Sequence, residues 1–155
     1  MNKLSLSLIA LIILIFSGVC FAEVPHEIAG FVLGKNIDEI KDRLDMSTAL
    51  PVRHRESLRE VEIKTMEGFK SGLITYGTCA KPGQIVRIKL KYTETSKKFY
   101  ETLLKRFKKK FGEPNEWRGD PFHIFLDWKW AFIDKDGNRI SLHLQHNTKK
   151  KSVMP

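Results

Sequence analysis

The chain has 155 residues, with 27 lysines and arginines against 18 aspartates and glutamates, which gives a formal net charge of +9. Its length suits one ordinary domain with its own hydrophobic core, and we find no internal repeat and no linker that would divide it. The chain has two cysteines, Cys20 and Cys79. Because Cys20 lies in a segment that we expect to be removed, an internal disulfide is excluded from the mature protein.

The first 22 residues have the layout of a secretory signal peptide. Lys3 supplies a positive start, Leu4–Val19 is mostly apolar, and Ala22 is a small residue before a polar region. We therefore predict cleavage near Ala22 and a periplasmic or secreted mature protein. Two alternatives stay open, a retained membrane anchor and a lipoprotein attached at Cys20, although the residue before Cys20 is not small.

A short helix is predicted near the start of the mature chain. Asn36 suits an N-cap, Glu39 completes a capping-box pattern, and apolar residues follow at helical spacing. We predict a helix from Ile37 to Leu44 and a loop over residues 45–51. Residues 51–59 are polar and basic, and their pattern predicts no element.

Residues 31–40, Phe-Val-Leu-Gly-Lys-Asn-Ile-Asp-Glu-Ile, carry a family resemblance. This segment resembles the strand–glycine–helix entry of the SmpA/OmlA-type accessory proteins of outer-membrane barrel assembly. Lys35 stands where that family has methionine, and the chain is longer. The resemblance implies a compact α+β module of the bacterial envelope without enzymatic activity, and it carries over no functional residue.

Three strands joined by short turns are predicted next, over residues 58–66, 73–79 and 84–92. The turns fall at residues 67–72 and 80–83, where glycine and proline occur. The third strand alternates between an apolar face and a basic face, which is typical of an antiparallel strand with one side in water. Its basic face consists of Arg87, Lys89 and Lys91.

A second helix, from Phe99 to Phe111, is predicted from apolar residues that recur every three or four positions. Thr95 or Ser96 suits its N-cap, and Gly112 suits its end. We expect its apolar side to cover the apolar face of the sheet.

A β-hairpin over residues 122–146 is the strongest structural signal in the chain. The segment Asp134–Gly137 suits a three-residue loop in which Gly137 adopts the left-handed conformation and Asp134 pairs with Asn138. The predicted core face of the first strand consists of Phe122, Ile124, Leu126, Trp128, Trp130 and Phe132. The loop then sets the register, with Phe132 opposite Ile140, Trp130 opposite Leu142 and Trp128 opposite Leu144.

Together these elements predict an α+β fold, in which an antiparallel sheet of about five strands has two helices packed on one face. The predicted organisation is a signal peptide over residues 1–22, a single α+β domain over residues 23–148 and a basic flexible tail over residues 149–155.

The basic side chains are the first candidate for function. Lysines concentrated on a helix face and on a strand face attract polyanions, which in the envelope are anionic lipid head groups or anionic polymers. The alternative is that these lysines only solvate their surfaces. Export argues against nucleic acid as a partner, despite the charge. The helical cations are Lys97, Lys98, Lys105, Arg106, Lys108, Lys109 and Lys110.

No catalytic or metal-binding constellation stands out, and we assign no catalytic residue, no metal ligand and no cofactor. His143 and His146 have a metal-like spacing, but residues three apart on a strand face opposite sides. The register places His143 opposite Lys129 on the outer face, and we retain both as candidates for partner binding. Cys79, at the end of a predicted strand, is expected to be buried.

The loop Trp117–Pro121 is the second candidate for function. It combines an aromatic residue, Trp117, with a cation, Arg118, and an acid, Asp120, and loops of this composition often mediate recognition. The alternative is that Trp117 closes the end of the hydrophobic core.

These observations predict an exported, non-enzymatic binding or accessory module of the envelope. It would contact an envelope protein, an anionic polymer or a lipid surface through the basic residues and the loop over residues 117–121. Two alternatives are a periplasmic hydrolase or lyase whose site is not visible in the sequence, and an inhibitor or immunity-type protein that uses the same loop. The oligomeric state is not predicted.

Overall fold

The structure, a computed structural model, describes residues 23–149. The predicted signal peptide, and the predicted tail except for its first residue, lie outside this range. The helical segments are a 3-10 helix (Ile37–Arg43) and α1 (Lys97–Phe111). The strands are β1 (Glu27–Ile28), β2 (Phe31–Val32), β3 (Leu44–Val52), β4 (Arg55–Ile63), β5 (Phe69–Gly77), β6 (Ile85–Tyr92), β7 (Glu116–Trp117), β8 (Phe125–Ile133) and β9 (Arg139–Asn147).

The predicted α+β fold with one sheet of about five strands is wrong. Residues 23–149 are mostly β: they form nine strands in three antiparallel sheets and only two helical segments. The sheets are β1–β2, β3–β4–β5–β6 and β7–β8–β9. Neither helical segment in this range is long and apolar enough to cross a membrane.

Strand β3 accounts for part of this difference, because the predicted loop over residues 45–51 belongs to it. The pairing of β3 with β4 is interrupted between Asp45 and Leu50. There the Thr48 hydroxyl accepts the backbone N–H of Glu62 at 2.9 Å, in place of a main-chain carbonyl. Such an irregularity breaks the alternation of apolar and polar residues by which a strand is recognised in a sequence.

The first helical segment begins at the predicted residue but is a 3-10 helix. The capping box is confirmed: the Asn36 side chain accepts the N–H of Asp38 at 2.9 Å, and the Glu39 carboxylate accepts the N–H of Asn36 at 3.3 Å. The segment is interrupted at Ile40, whose φ of −130° is not helical. It therefore contributes two short turns instead of a continuous α-helix.

The four-stranded sheet holds the first of two hydrophobic clusters. The N-terminal segment packs on one of its faces and is tied to its edge, since Gly34 donates to the Ile85 carbonyl at 2.8 Å and Ile85 donates to the Lys35 carbonyl at 2.9 Å. We call the buried hydrophobic residues between this sheet and the N-terminal segment cluster one. Its buried members are Phe31, Ile37, Leu44, Val61, Ile74, Tyr76 and Ile85.

The second cluster lies between α1 and the sheet β7–β8–β9, and we call it cluster two. Two contacts show the direction of the helix. Tyr100 stacks on His146 at 5.0 Å, near the start of β8 and the end of β9, whereas Phe111 meets Phe132 at 5.9 Å near the hairpin turn. The N-terminus of α1 therefore lies at the end of the sheet where β8 begins. The buried members of cluster two are Tyr100, Trp130 and Leu144.

The predicted register of the hairpin is confirmed. Phe132 pairs with Ile140, Trp130 with Leu142 and Trp128 with Leu144. The turn is also as predicted, because the N–H of Asp134 donates to the Asn138 carbonyl at 3.0 Å and Gly137 has a φ of +78°.

α1 covers the core face of the hairpin, as predicted, but the sheet beneath it is not the predicted single sheet of about five strands. The four-stranded sheet is covered by the N-terminal segment. The aromatic link between the two halves is Tyr92, whose ring lies 4.8 Å from that of Phe69 and 5.2 Å from that of Phe99. The chain thus builds two hydrophobic clusters where the sequence predicted one layer of helices on one sheet.

Candidate functional site

The loop before β8 is organised around the carboxylate of Asp120. One oxygen accepts the N–H of Phe122 at 2.8 Å, and the other accepts the N–H of Phe125. The backbone closes the loop as well, since the N–H of Asp120 donates to the Phe125 carbonyl at 2.9 Å and the N–H of His123 donates to the Asp120 carbonyl at 3.1 Å. These bonds lower the pKa of Asp120, chiefly through Phe125.

Phe122 is the most exposed large hydrophobic residue in the described part of the chain, with 81% of its surface open. The sequence predicted it on the core face of the hairpin, and that prediction is wrong. β8 begins only at Phe125, because the loop held by Asp120 occupies the preceding residues. His123 adopts a φ of +54°, which is uncommon for a residue other than glycine. The apolar alternation in the sequence therefore starts at Phe122, three residues before β8 begins at Phe125.

The Trp117 ring packs against the backbone of the loop at Gly119. It meets the ring of Trp128 edge to face at 4.6 Å, is half-buried, and covers Gly119, where any side chain would overlap it. These contacts favour the interpretation of Trp117 as the residue that closes the core. Of the three residues predicted for recognition in this loop, Trp117 and Asp120 hold its shape.

Arg118 and Lys129 are brought together by Glu116, a residue that no sequence pattern marks as functional. The carboxylate of Glu116 lies 2.9 Å from Arg118 Nε and 3.1 Å from Lys129 Nζ. The pKa of Glu116 is lowered by these hydrogen bonds, with Arg118 the larger cause. The loop and the outer face of the hairpin therefore share one small ionic network.

His143 lies opposite Lys129, as predicted, but its partner is Asp127. The Asp127 carboxylate is only 5% exposed, lies 3.2 Å from His143 Nδ1, and accepts a bond from the Gln145 amide at 2.9 Å. Asp127 and His143 are diagonal neighbours across β8 and β9, a relation that alternation along a single strand does not display. The pair orients the imidazole on the outer face of the sheet.

His146 faces the other side of the sheet, as predicted for a residue three positions from His143. It stacks on Tyr100, and burial lowers its pKa. The Tyr100 hydroxyl is buried and has no hydrogen-bond partner among residues 23–149, and its pKa is raised to about 12 by burial and by the negative charge of Asp127. Across the same range no three histidine, cysteine, aspartate or glutamate side chains are grouped closely enough to hold a metal ion.

The predicted basic face of β6 lies on the other sheet and does not join the loop. Arg87 and Lys89 pair with Thr75 and Leu73 of β5, and those residues pair with two acids of β4, Glu60 and Glu62. One strand therefore separates a basic row from an acidic row, a distance of roughly 10 Å. The third basic residue, Lys91, pairs with Ser71.

Two open grooves lie on the described surface. The larger, of about 750 Å³, is lined by Pro51, Glu56, Arg59, Tyr76, Gly77, Thr78, Pro82 and Gly83. The smaller, of about 450 Å³, borders the aromatic link and is lined by Gly68, Phe69, Tyr92, Thr93, Glu94 and Phe99. Cys79, next in the chain to the larger groove, is exposed, so the prediction that it is buried is wrong.

Comparison of the chain with protein-family models, with curated proteins and with solved structures found no match. The resemblance of residues 31–40 to the SmpA/OmlA-type proteins therefore stays a prediction.

Proposed function

We propose that this protein is an exported, non-enzymatic binding or accessory module of the bacterial envelope, and that it contacts its partner through the loop Arg118–Phe125. The observation that carries the proposal is the exposure of Phe122 on a loop held by side-chain and backbone hydrogen bonds. Export itself rests on the signal-peptide pattern of residues 1–22.

An exposed aromatic side chain on a backbone that is held in place suits recognition for two reasons. Aromatic residues bury a large apolar area and dominate the energetics of many interfaces. Because Asp120 already holds the backbone around Phe122, little conformational freedom is lost when a partner binds. Arg118, the first residue of the loop, is half-exposed and supplies a guanidinium, paired with Glu116 at 2.9 Å, at the rim of this surface.

The alternative of a hydrolase or lyase has one observation in its favour, the pairing of His143 with Asp127. A carboxylate that orients an imidazole is part of many general-base sites. In the described residues this pair lies outside both grooves. We therefore retain the binding module as the proposed function.

Photo-crosslinking in the native envelope tests the proposal. Benzoylphenylalanine placed at position 122 should capture one predominant molecule, identified by mass spectrometry. The matched control is the same residue at position 133, because Ile133 is also exposed, at 70%, and lies at the opposite end of β8.

Equal capture from both positions, or none from position 122, would refute the proposed contact. Capture of a secreted enzyme would favour an inhibitor, and capture of an envelope assembly protein would favour an accessory role. The captured molecule then serves in a binding assay, where Phe122→Ala should weaken binding at least tenfold, about 1.4 kcal/mol or more, and Ile133→Ala should not.

A further inference from the structure

The solvent side of α1 presents cations of two kinds. Three of its seven lysines and arginines lie within salt-bridge distance of a carboxylate: Lys97 of Glu101 at 3.8 Å, Lys108 of Glu113 at 2.6 Å and Lys110 of Glu23 at 3.2 Å. The other four are exposed and have no carboxylate within 4.0 Å among residues 23–149: Lys98, Lys105, Arg106 and Lys109.

Three of the unpaired cations form a straight row. At about 100° per residue, Lys98, Lys105 and Lys109 lie within about 40° of one another around the helix axis, and the row is about 17 Å long. Phe107 lies on the opposite side of the helix and packs against Trp130 at 5.9 Å. We call Lys98, Lys105 and Lys109 the lysine row; it runs along the part of α1 farthest from the hairpin sheet.

We propose that the lysine row is a docking surface for the anionic head groups of a lipid bilayer, with Arg106 beside it. This inference rests on the proposed location in the envelope, and it assigns to α1 a contact distinct from that of Phe122. Docking through α1 would hold the module on the membrane and leave the Phe122 loop, at the end of the sheet, free for its partner.

Several features favour a lipid surface over a protein. Lysine is depleted in protein–protein interfaces, where arginine and aromatic residues are preferred, but each lysine near an anionic bilayer adds to binding. The row contains no apolar side chain that could anchor a protein partner, only Thr102 between its lysines. Neither groove described above includes a member of the row. A straight row of positive charges along the exposed side of a helix can contact a flat anionic surface along its whole length.

The basic row of β6 has acidic residues on its own face of the sheet, and it therefore provides a matched control for the lysine row. Arg87, Lys89 and Lys91 carry the same charge as the lysine row, but two acids, Glu60 and Glu62, occupy the same face of the sheet one strand away. Their negative charge weakens the field that a polyanion would encounter there. The acid beside the lysine row, Glu101, is one helical turn from Lys98 and Lys105 and lies within salt-bridge distance of Lys97, at 3.8 Å.

Sedimentation with lipid vesicles tests the inference on the purified mature protein. Vesicles of phosphatidylcholine alone are compared with vesicles in which about a third of the lipid is phosphatidylglycerol, at low and at high salt. The wild type should bind only the anionic vesicles, and salt should release it. The triple variant Lys98→Gln/Lys105→Gln/Lys109→Gln should bind on the order of a hundredfold more weakly, since each lysine contributes about fivefold.

The control variant Arg87→Gln/Lys89→Gln/Lys91→Gln loses the same net charge and should bind no more than about threefold more weakly than the wild type. Glutamine is a good helix former, and circular dichroism verifies that α1 is intact. Equal losses in the two variants would show a general charge effect and overturn the inference, as would a wild type that ignores anionic vesicles. Binding to soluble polyphosphate but not to vesicles would overturn it in favour of a polymer ligand.

The two proposals can be refuted independently, because the vesicle assay tests the lysine row and the crosslinking experiment tests the Phe122 loop. Phe122→Ala should leave vesicle binding unchanged, and the triple lysine variant should still crosslink through position 122 when partner and protein are mixed in solution. Loss of vesicle binding in Phe122→Ala would contradict the separation of the two surfaces.

Discussion

At the scale of single residues, Asp120 controls how Phe122 is presented. Its carboxylate accepts hydrogen bonds from the backbone N–H of Phe122, within the loop, and from that of Phe125, at the end of the loop; these bonds are strong only while the carboxylate is ionised. The pKa of Asp120 is lower in the folded protein than in the unfolded chain, so its contribution to stability is complete above its ordinary pKa. The contribution is lost as the pH falls through the lowered value.

We therefore predict that the Phe122 loop loses its order in acid, below about pH 4. Fluorophenylalanine at position 122 would report this locally by ¹⁹F NMR. In Asp120→Asn the amide introduces a donor where the loop needs an acceptor, so the signal at neutral pH should resemble that of the acidified wild type. A variant with the wild-type pH profile would show that Asp120 does not hold the loop.

Asp127 shows how a residue becomes important through its neighbours alone. Along the sequence it is one polar residue in an alternating strand, and nothing marks it. In the folded sheet, the His143 and Gln145 side chains cover it and satisfy its oxygens. Diagonal pairs of this kind depend on the register of two strands, so they can be sought in a sequence only after the register has been predicted.

At the scale of elements, Trp130 joins the hairpin to the helix. It is 1% exposed, its ring meets that of Phe107, and its indole N–H donates to the carbonyl of Gly112 at 2.8 Å. Gly112 is the C-cap of α1. One side chain of β8 thus fixes both the apolar face and the end of the helix.

Trp130→Ala should lower the free energy of unfolding by about 3–5 kcal/mol, because it leaves a large cavity and an unpaired carbonyl. Trp130→Phe, which keeps most of the ring volume, should cost clearly less. Ile133→Ala, at an exposed position of the same strand, should change stability by no more than about 0.5 kcal/mol. Urea unfolding followed by far-UV circular dichroism provides the measurement; a Trp130→Ala curve that overlays the wild type would contradict the assignment.

The elements that the sequence predicted well are those whose signals are local. The hairpin register follows from the turn at Asp134–Gly137 and from the alternation of apolar residues on either side of it. The helix α1 follows from apolar residues that recur every three or four positions and from Gly112 at its end. β3 gives no strand signal in the sequence because its pairing is irregular: the Thr48 hydroxyl accepts the N–H of Glu62 in place of a backbone carbonyl. The division of the strands into separate sheets depends on contacts between distant segments, which no local pattern contains.

The candidate site was predicted in part for the same reason. The composition of the loop predicts recognition, but the apolar alternation of β8 continues back to Phe122 and predicts that residue in the core. Only the hydrogen bonds of Asp120 show that the strand begins later. The basic residues of β6 were predicted to lie on one face, as they do, but the acidic row beside them comes from a different strand.

At the scale of the whole molecule, the two hydrophobic clusters are nearly separate. Cluster one involves residues before the helix, and cluster two involves α1 and the strands after it. Their aromatic link is the contact of Tyr92 with Phe69 and Phe99. Because so little apolar surface is shared, a defect in one cluster should not propagate far into the other.

Ile74→Ala tests this independence, since Ile74 is fully buried in cluster one. Its removal should destabilise the four-stranded sheet by about 2–5 kcal/mol and speed amide hydrogen exchange in β4 and β5 by roughly 30-fold or more. Exchange in β8 and β9 should change by less than about threefold. An equal acceleration in both sheets would show instead that the chain unfolds as a single cooperative unit.

The division into two clusters also sets the order in which the parts of the chain can fold. Cluster one is complete once Tyr92 and the preceding residues have emerged, whereas cluster two needs Leu144, which belongs to the last strand. Since a chain grows from its N-terminus and its parts fold as they become available, the four-stranded sheet can close while α1 and the hairpin are still being made. The exposed side of α1 and the Phe122 loop would then be the last surfaces to take their final form.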